Sequence, residues 1–272
     1  MFSVVTDSTA YLTRKEAEKL DIHVLPMSYS VGILQLGEGY IEESGRYTEL
    51  IASNLNRLHT SQVSMGAFLG AFNELIRDDK EVLCITISSR LSGTYVNALM
   101  ASRQMAAGKI QVVDSLSTVA GMRYLVKRAC ELSQEGASLE HAVKELESMR
   151  SKIGIVFSVD DMEALRRSGR LGFVRQSVGT ILNIRPILFC QNGTIVSGGV
   201  ARGTRGQIES IVGSIPSEVK HIEIHHILNK PIVDKLEKEI RSKFSCPIHK
   251  SKVGPTISIH IGLSAVGVAW LC

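Results

Sequence analysis

Apolar and polar positions alternate in blocks along the first half of the chain. Several short apolar runs are each long enough for one strand, and segments with the helical spacing of apolar residues follow them. Continuous apolar runs are typical of strands that are buried on both faces of a parallel sheet. We therefore predict an α/β domain with a parallel sheet covered by helices, with strands at 1–5, 23–31, 82–87 and 110–113.

The pattern changes after residues 150–152, and we place a domain boundary there, between 1–150 and 151–272. In the second part, Asn192-Gly193 lies between two apolar runs, which is a strong signal for a β-hairpin. Strands and helices follow in a mixed order, which predicts an α+β domain with an antiparallel component. Two further predictions for this part are a short helix at 176–183 and a strand at 257–261.

Turns rich in hydroxyl groups follow three of the predicted strands: TDST at 6–9, SSRLSGT at 88–94 and DSLST at 114–118. In an open α/β sheet the carboxyl ends of the strands border the ligand crevice, so we expect the three turns at one edge. The second turn leads directly into a helix, whose first N–H groups and positive dipole end favour an anion. The sequence therefore predicts an anion site at this edge.

Composition narrows the class of ligand. Hydrophobic residues make up 44% and charged residues 21% of the 272 residues, which predicts a folded core. A formal net charge of +4 and an aromatic share of 5% give little support for nucleic-acid binding. Neither G-x-G-x-x-G nor the P-loop pattern occurs, so the common nucleotide sites also lack support.

The cysteines and the apolar stretches indicate where the protein is located. The five cysteines are widely spaced and form no C-x-x-C, and no signal peptide is visible. The most apolar stretch, residues 261–272, is too short to span a bilayer. We therefore expect reduced thiols and a cytoplasmic location.

The position of Ser92, directly before a predicted helix, is consistent with three roles. It could cap the helix that follows, anchor an anionic ligand, or act as a nucleophile with His260 as its base. Capping and anion binding are compatible, because both use the same end of the helix. A lone histidine on a strand, as predicted for His260, is more often structural than functional, so the three roles stay open at this point.

Two further polar clusters have either a functional or a structural interpretation. His221, Glu223 and His225 alternate along one strand face, and they form either a metal ligand set or the solvent face of an amphipathic strand. We expect the solvent face and no metal. The basic residues of the second part form either a solvated face or a docking patch for an acidic partner or a phosphate: Arg166, Arg167, Arg170, Arg175, Arg202 and Arg205.

Six stretches of the chain resemble, in sequence and in order, the motifs of the DegV family: VTDSTAYL at 5–12, TSQVS at 60–64, LSGTYVNA at 91–98, VVDSLST at 112–118, ALRRSGRLG at 164–172 and HIG at 260–262. The resemblance runs nearly from end to end. It implies a two-domain fold with a fatty acid held between the domains, in which the segment at about 59–72 crosses to the other domain.

The resemblance also implies a function. DegV-like proteins include the fatty-acid-binding subunits of the bacterial fatty acid kinase, which present a long-chain fatty acid to a separate ATP-binding kinase. The acyl phosphate then enters phospholipid synthesis. Such a subunit is not itself catalytic, is cytoplasmic, and has no cofactor besides the bound fatty acid. A transient contact with a membrane surface is compatible with this role, and nucleic acid is not among the expected partners.

The family's site residues map onto this chain by motif. The carboxylate-binding hydroxyls correspond to Thr60 and Ser92, and the carboxylate-facing histidine corresponds to His260. Ser61 and the N–H groups of Gly93 and Thr94 complete the expected set.

Two arginines carry the expected partner surface, Arg170 and Arg202. The chain departs from the family pattern at Val63, where proline is usual, and at Ser168, where glycine is usual. The alternative function is a hydrolase or acyltransferase that acts on a lipid-like substrate through Ser92 and His260.

Overall fold

A computed structural model of the chain describes residues 1–54, 57–77, 80–105, 108–160, 162–171, 183–228 and 230–272. The strands within these residues are β1 Phe2–Asp7, β2 Ile22–Leu25, β3 Met27–Val31, β4 Leu34–Glu38, β5 Leu58–Ser61, β6 Glu81–Thr86, β7 Ile110–Asp114, β8 Ile153–Ser158, β9 Ile184–Gln191, β10 Thr194–Arg202, β11 His221–His226, β12 Ile248–Lys252 and β13 Val266–Leu271. The α-helices are α1 Arg14–Leu20, α2 Tyr47–Asn54, α3 Met65–Arg77, α4 Thr94–Arg103, α5 Val119–Gln134, α6 Leu139–Met149, α7 Glu163–Ser168, α8 Gly203–Gly213, α9 Lys230–Lys243 and α10 Pro255–Ile261.

The chain divides into two compact units. Unit 1 contains Met1–Gly45 and Arg57–Ser151, and unit 2 contains Arg46–Asn56 and Lys152–Cys272. The segment at 59–72 therefore lies in unit 1, whereas α2 lies in unit 2. Tyr47 at the start of α2 donates a hydrogen bond from its hydroxyl to the carbonyl of Val253, which fixes α2 within unit 2.

Unit 1 is built around a parallel four-stranded sheet with the strand order β2-β1-β6-β7, as the continuous apolar runs predict. Val82 and Cys84 of β6 pack with Phe68 and Phe72 of α3 on one face of this sheet. The alternate residues of β6 point to the other face, where α5 and α6 contact the strand. The α/β prediction for this part of the chain is confirmed.

The prediction of a single strand over residues 23–31 is wrong. The structure has β2 in the parallel sheet and β3 in a separate antiparallel sheet of order β4-β3-β5, with a break at Pro26. Proline has no N–H to donate to a strand ladder, so the chain leaves one sheet there and enters another.

Unit 2 contains a six-stranded sheet with the order β10-β9-β8-β13-β11-β12. Its strand pairs are antiparallel except for β11 and β12, which confirms the predicted α+β character. The hairpin at Asn192-Gly193 is also confirmed, because β9 and β10 pair on either side of it. Both turn residues have positive φ, 48° and 78°, as the favoured two-residue hairpin turn requires.

Residues 257–261 form a helix, so the strand expected there is wrong. Pro255 is the first residue of α10, and Gly254 precedes it as the N-cap. Proline is favoured at this position because its missing N–H has no helical acceptor and its φ is already helical. The helix predicted at 176–183 falls mainly on residues outside the described ranges.

Candidate functional site

The three hydroxyl-rich turns lie side by side at the carboxyl edge of the parallel sheet, as their place after β1, β6 and β7 predicts. Asp7 at the end of β1 accepts a hydrogen bond from the N–H of Ile87 at 2.7 Å. Ser88 in the second turn donates its N–H to the carbonyl of Ser117 in the third turn at 2.9 Å. These bonds fix the second turn between the first and the third.

Asp7 is the buried anchor of the first turn. Its carboxylate also accepts hydrogen bonds from the N–H and the hydroxyl of Thr9. Burial raises the pKa of the Asp7 carboxyl above its usual value, and the hydrogen bonds that it accepts oppose this shift. All of these bonds serve the backbone or a neighbouring turn residue, so Asp7 holds the turns in place and is not a group that faces a ligand.

The second turn carries the hydroxyls that the sequence predicts for an anion. The carbonyl of Ser88 accepts the N–H groups of Leu91 and Ser92, which reverses the chain before α4. The N-cap of α4 is Gly93, which has no side-chain cap, and the hydroxyl of Ser92 caps the first N–H group of the helix instead, a role that is compatible with anchoring an anion. Ser92 lies one residue before the cap, and its Oγ accepts the N–H of Thr94 at 3.3 Å.

Ser92 and Thr94 are joined to a buried methionine by their hydroxyls. Ser92 Oγ lies 2.9 Å from Thr94 Oγ1, and the Thr94 hydroxyl donates to Met27 Sδ at 3.4 Å. A threonine hydroxyl has one proton, so Ser92 is the donor in its bond to Thr94. No pattern in the sequence identifies Met27, because a methionine at the start of a strand is usually a simple core residue.

The segment that follows Thr60 and Ser61 at the end of β5 meets the turn that carries Ser92. A Cβ atom on Gly93 would lie 2.2 Å from Gln62 Oε1, so only glycine allows this approach without a shift of Gln62. Asn97 of α4 donates from its side-chain amide to the carbonyl of Val63 at 2.8 Å. Gln62 and Asn97 are thus positioning residues. Both lie within DegV-like stretches, but no role is predicted for either of them from the sequence.

Thr60 and Ser61 end the strand that leads into this contact. They pair with Tyr29 and Ser28 of β3, and Thr60 is half-buried whereas Ser61 is exposed. The structure therefore brings together five of the predicted residues, at the start of α4 and the end of β5: Thr60, Ser61, Ser92, Gly93 and Thr94.

His260 lies in unit 2, near the end of α10. Burial, with a smaller contribution from the positive charge of Arg170, lowers the pKa of His260 to about 4. The imidazole is therefore neutral near pH 7, so one of its nitrogens donates a hydrogen bond and the other accepts one. A negatively charged group beside it would raise this pKa again.

The two arginines that were assigned to partner docking occupy separate positions in unit 2. Arg170 follows α7 and its C-cap, Gly169, and Leu171 forms a bridge to Ile195 near the start of β10. Arg202 is the last residue of β10, so roughly 23 Å of strand separates it from Ile195. Both arginines are exposed, and Arg175 lies outside the described residues.

The prediction that His221, Glu223 and His225 form a solvent face of β11 holds for His221, which is exposed, and is wrong for the other two residues. Glu223 and His225 are each only 5% exposed, and His225 Nδ1 lies 2.8 Å from the hydroxyl of Ser251 on β12. Ile222 and Ile224 belong to the core on the other face, so this strand is buried on both sides. In the part of the chain that the structure describes, no cluster of three metal-ligating side chains is found.

Within the described ranges, no helix combines the length and the apolar character that crossing a bilayer requires.

The comparisons with known proteins agree on one family. The family model described as an uncharacterised protein family, DegV, matches residues 1–272. A DegV domain-containing protein of Staphylococcus aureus (strain COL) is 31% identical over 277 residues, which cover 98% of each chain.

Two solved structures share the whole fold. One is described as a DegV lipid-binding protein of Thermotoga maritima, with a TM-score of 0.89, 27% identity and coverage of 100% of this chain and 98% of that chain. The other is a DegV family protein from Thermus thermophilus, whose description names fatty acid binding. It has a TM-score of 0.88 and 28% identity, and the match covers 100% of this chain and 99% of that chain.

Proposed function

Because the chain belongs to the DegV family, we propose that it binds a long-chain fatty acid and holds the carboxylate at the contact between the end of β5 and the Ser92 turn. The close approach of Gln62 to Gly93 carries this proposal, because it brings the end of β5, with its two hydroxyl residues, to the N-terminus of α4. Hydroxyl and backbone N–H donors at a helix N-terminus are well suited to a carboxylate.

The proposed donors have distinct roles. Thr60, Ser61 and Ser92 donate from their hydroxyls, and the N–H of Gly93 adds a backbone donor. Thr94 orients Ser92 through the bond between their hydroxyls. His260 is assigned to the same carboxylate through the family resemblance, and its neutral imidazole can supply one N–H.

The acyl chain and the carboxylate contribute to binding in different ways. Burying about fifteen methylene groups at ~0.8 kcal/mol each gives a gross gain on the order of 12 kcal/mol. The hydrogen bonds to the carboxylate largely replace the bonds that this group makes with water before it binds, so their net contribution is smaller. The tail therefore determines most of the affinity, and the polar residues determine orientation. The fatty acid binding named for the Thermus thermophilus relative supports this assignment.

We further propose that the protein presents the bound carboxylate to an ATP-binding kinase, which forms an acyl phosphate for phospholipid synthesis. In such a reaction the nucleophile is the carboxylate of the ligand, so this chain needs no activated side chain. Arg170 and Arg202 are the proposed docking residues, and their separation means that the docking surface would extend along β10. Arg170→Ala should spare lipid binding and lower phosphorylation, and the reverse pattern would contradict the docking role.

The test begins with mass spectrometry of lipids extracted from the protein after expression in a bacterium. We expect a co-purifying long-chain fatty acid, and an empty protein that also takes up none after delipidation would refute the proposal. Calorimetry on delipidated protein should show that Thr60→Ala and Ser92→Ala each weaken binding by about 1–3 kcal/mol. Ser102→Ala is the matched control, because the Ser102 hydroxyl on α4 only donates to the carbonyl of Leu99.

Two further measurements separate the alternatives. A serine-directed fluorophosphonate should form no adduct, whereas an adduct that is lost in Ser92→Ala would favour the hydrolase or acyltransferase. Nuclear magnetic resonance should show that a bound fatty acid raises the pKa of His260 from about 4, because an adjacent carboxylate favours the charged imidazolium. An unchanged pKa would remove His260 from the site.

A further inference from the structure

The turn between β3 and β4 exposes two large apolar side chains. Gly32 has a φ of 58° and takes the first central position of a two-residue hairpin turn, followed by Ile33. Turn tips usually carry polar residues that hydrogen bond with the backbone or with water. Ile33 is fully exposed and Leu34 is 50% exposed, so the tip presents a pair of apolar side chains that the fold itself does not use.

A basic side chain lies against this tip. A Cβ atom on Gly32 would be 3.3 Å from Arg57 Nη2, which places the guanidinium beside the turn. His59 is exposed two residues further on and pairs with Ser30 of β3. Among the described residues of β3, β4 and β5, the single carboxylate belongs to Glu38, which is 1% exposed at the opposite end of β4. The tip is therefore apolar and positive.

We propose that this tip, Gly32–Leu34 with Arg57, docks on an anionic phospholipid surface. Exposed aliphatic side chains beside a basic group are typical of segments that enter the interface between headgroups and acyl chains. In the docked state Ile33 and Leu34 enter the interface and the guanidinium of Arg57 binds a headgroup phosphate.

The proposal rests on the proposed function and adds the route by which the ligand is collected or released. Arg57 lies three positions before Thr60, and three steps along an extended segment span roughly 10 Å. A protein docked through this tip therefore holds one of its carboxylate-binding hydroxyls close to the lipid from which a fatty acid leaves.

The experiment is co-sedimentation of the full chain with vesicles of equimolar phosphatidylglycerol and phosphatidylcholine, and with vesicles of phosphatidylcholine alone. Ile33→Ser and Leu34→Ser should each lower the partition coefficient by about tenfold. Arg57→Gln should lower it on the anionic vesicles and leave the neutral vesicles unaffected. Met100→Gln is the matched control, because Met100 on α4 is also 50% exposed and should be replaced without effect.

A second variant tests insertion directly. Ile33→Trp should give a blue-shifted emission on the anionic vesicles, over the constant signal of the buried Trp270. The proposal is overturned if the wild-type protein does not sediment with anionic vesicles, if Met100→Gln matches Ile33→Ser, or if Ile33→Ser only abolishes a concentration-dependent dimer. Calorimetric fatty acid binding in solution is the separate readout for the proposed function, and Ile33→Ser should retain it.

Discussion

The hydroxyl of Thr94 can be removed without changing the shape of the side chain, and we expect this to weaken fatty acid binding more than it weakens the fold. Thr94 is fully buried, and its hydroxyl joins Ser92 Oγ at 2.9 Å and Met27 Sδ at 3.4 Å. When a carboxylate arrives, the Ser92 proton turns to the ligand. The Thr94 proton can then turn from sulfur, which is a weak acceptor, to Ser92 Oγ.

The magnitude follows from the bonds that Thr94→Val removes. A neutral hydrogen bond is worth about 0.5–1.5 kcal/mol net, so losing the support of Ser92 in the complex should lower the affinity by roughly threefold to tenfold. The free energy of unfolding should change by less than about 1 kcal/mol. Valine leaves no buried hydroxyl without a partner, the thioether of Met27 is a weak acceptor, and Ser92 Oγ keeps the N–H of residue 94.

Calorimetry with a fatty acid and with the fatty alcohol of the same chain length measures this effect, and chemical denaturation measures stability. Thr94→Val should lower affinity for the acid more than affinity for the alcohol, because the charged carboxylate depends most on a well-oriented donor. Thr94→Ser is the control, since it retains the hydroxyl and should preserve the acid preference. Equal affinity for the acid in the wild type and in Thr94→Val would refute the proposed support of Ser92 by the Thr94 hydroxyl. An equal loss of affinity in Thr94→Ser would refute it as well.

Three other changes test the same site. Gly93→Ala should displace the exposed side chain of Gln62 and lower fatty acid affinity severalfold in calorimetry, with a change in unfolding free energy below about 1 kcal/mol; wild-type affinity would count against the contact. Asp7→Asn should destabilise the fold by about 1–3 kcal/mol in chemical denaturation, because an amide cannot accept all the bonds that this carboxylate accepts, including the Ile87 N–H. Burial lowers the pKa of His260 in the folded protein to about 4. As the pH falls below 6.5, this histidine is therefore protonated in the unfolded chain before it is protonated in the folded protein. The free energy of unfolding should therefore decrease by roughly 3 kcal/mol between pH 6.5 and pH 4, and His260→Asn should lack this part of the slope.

Local chemistry made several features of the fold predictable. The hairpin at Asn192-Gly193 forms as predicted, and Thr13 and Glu16, which have the spacing of a capping box, form one at the start of α1. These features depend on residues that are close in sequence, where backbone preferences decide the outcome. The helix at 255–261 also had a local signal in Pro255, but the alternation of isoleucines in this stretch favoured a strand. Tertiary packing decides between the two for so short an apolar run.

The candidate site was predictable only in part. The hydroxyls of Thr60 and Ser92 belong to recognisable sequence motifs, whereas the residues that support them come from elsewhere in the chain. Met27 lies 67 positions before Thr94, and its sulfur is a partner only because β3 leaves the parallel sheet after Pro26. Gln62 is recognised as a positioning residue only in the structure, where its side chain lies so close to Gly93 that a Cβ atom there would clash with it. Such contacts depend on the packing of separate elements, and a single sequence carries no periodicity that reports them.

The hydrogen bonds of Ser92 favour a binding role over a nucleophilic one. A serine nucleophile needs a base that accepts its proton, as imidazole does in a catalytic triad. Here the Ser92 proton is directed to the hydroxyl of Thr94, whose own proton is directed to the sulfur of Met27. Neither group can take up a proton near neutral pH, so this arrangement keeps Ser92 a neutral donor. A bound carboxylate requires a neutral donor of this kind. It does not require an activated serine, because in the proposed reaction the ligand supplies the attacking oxygen.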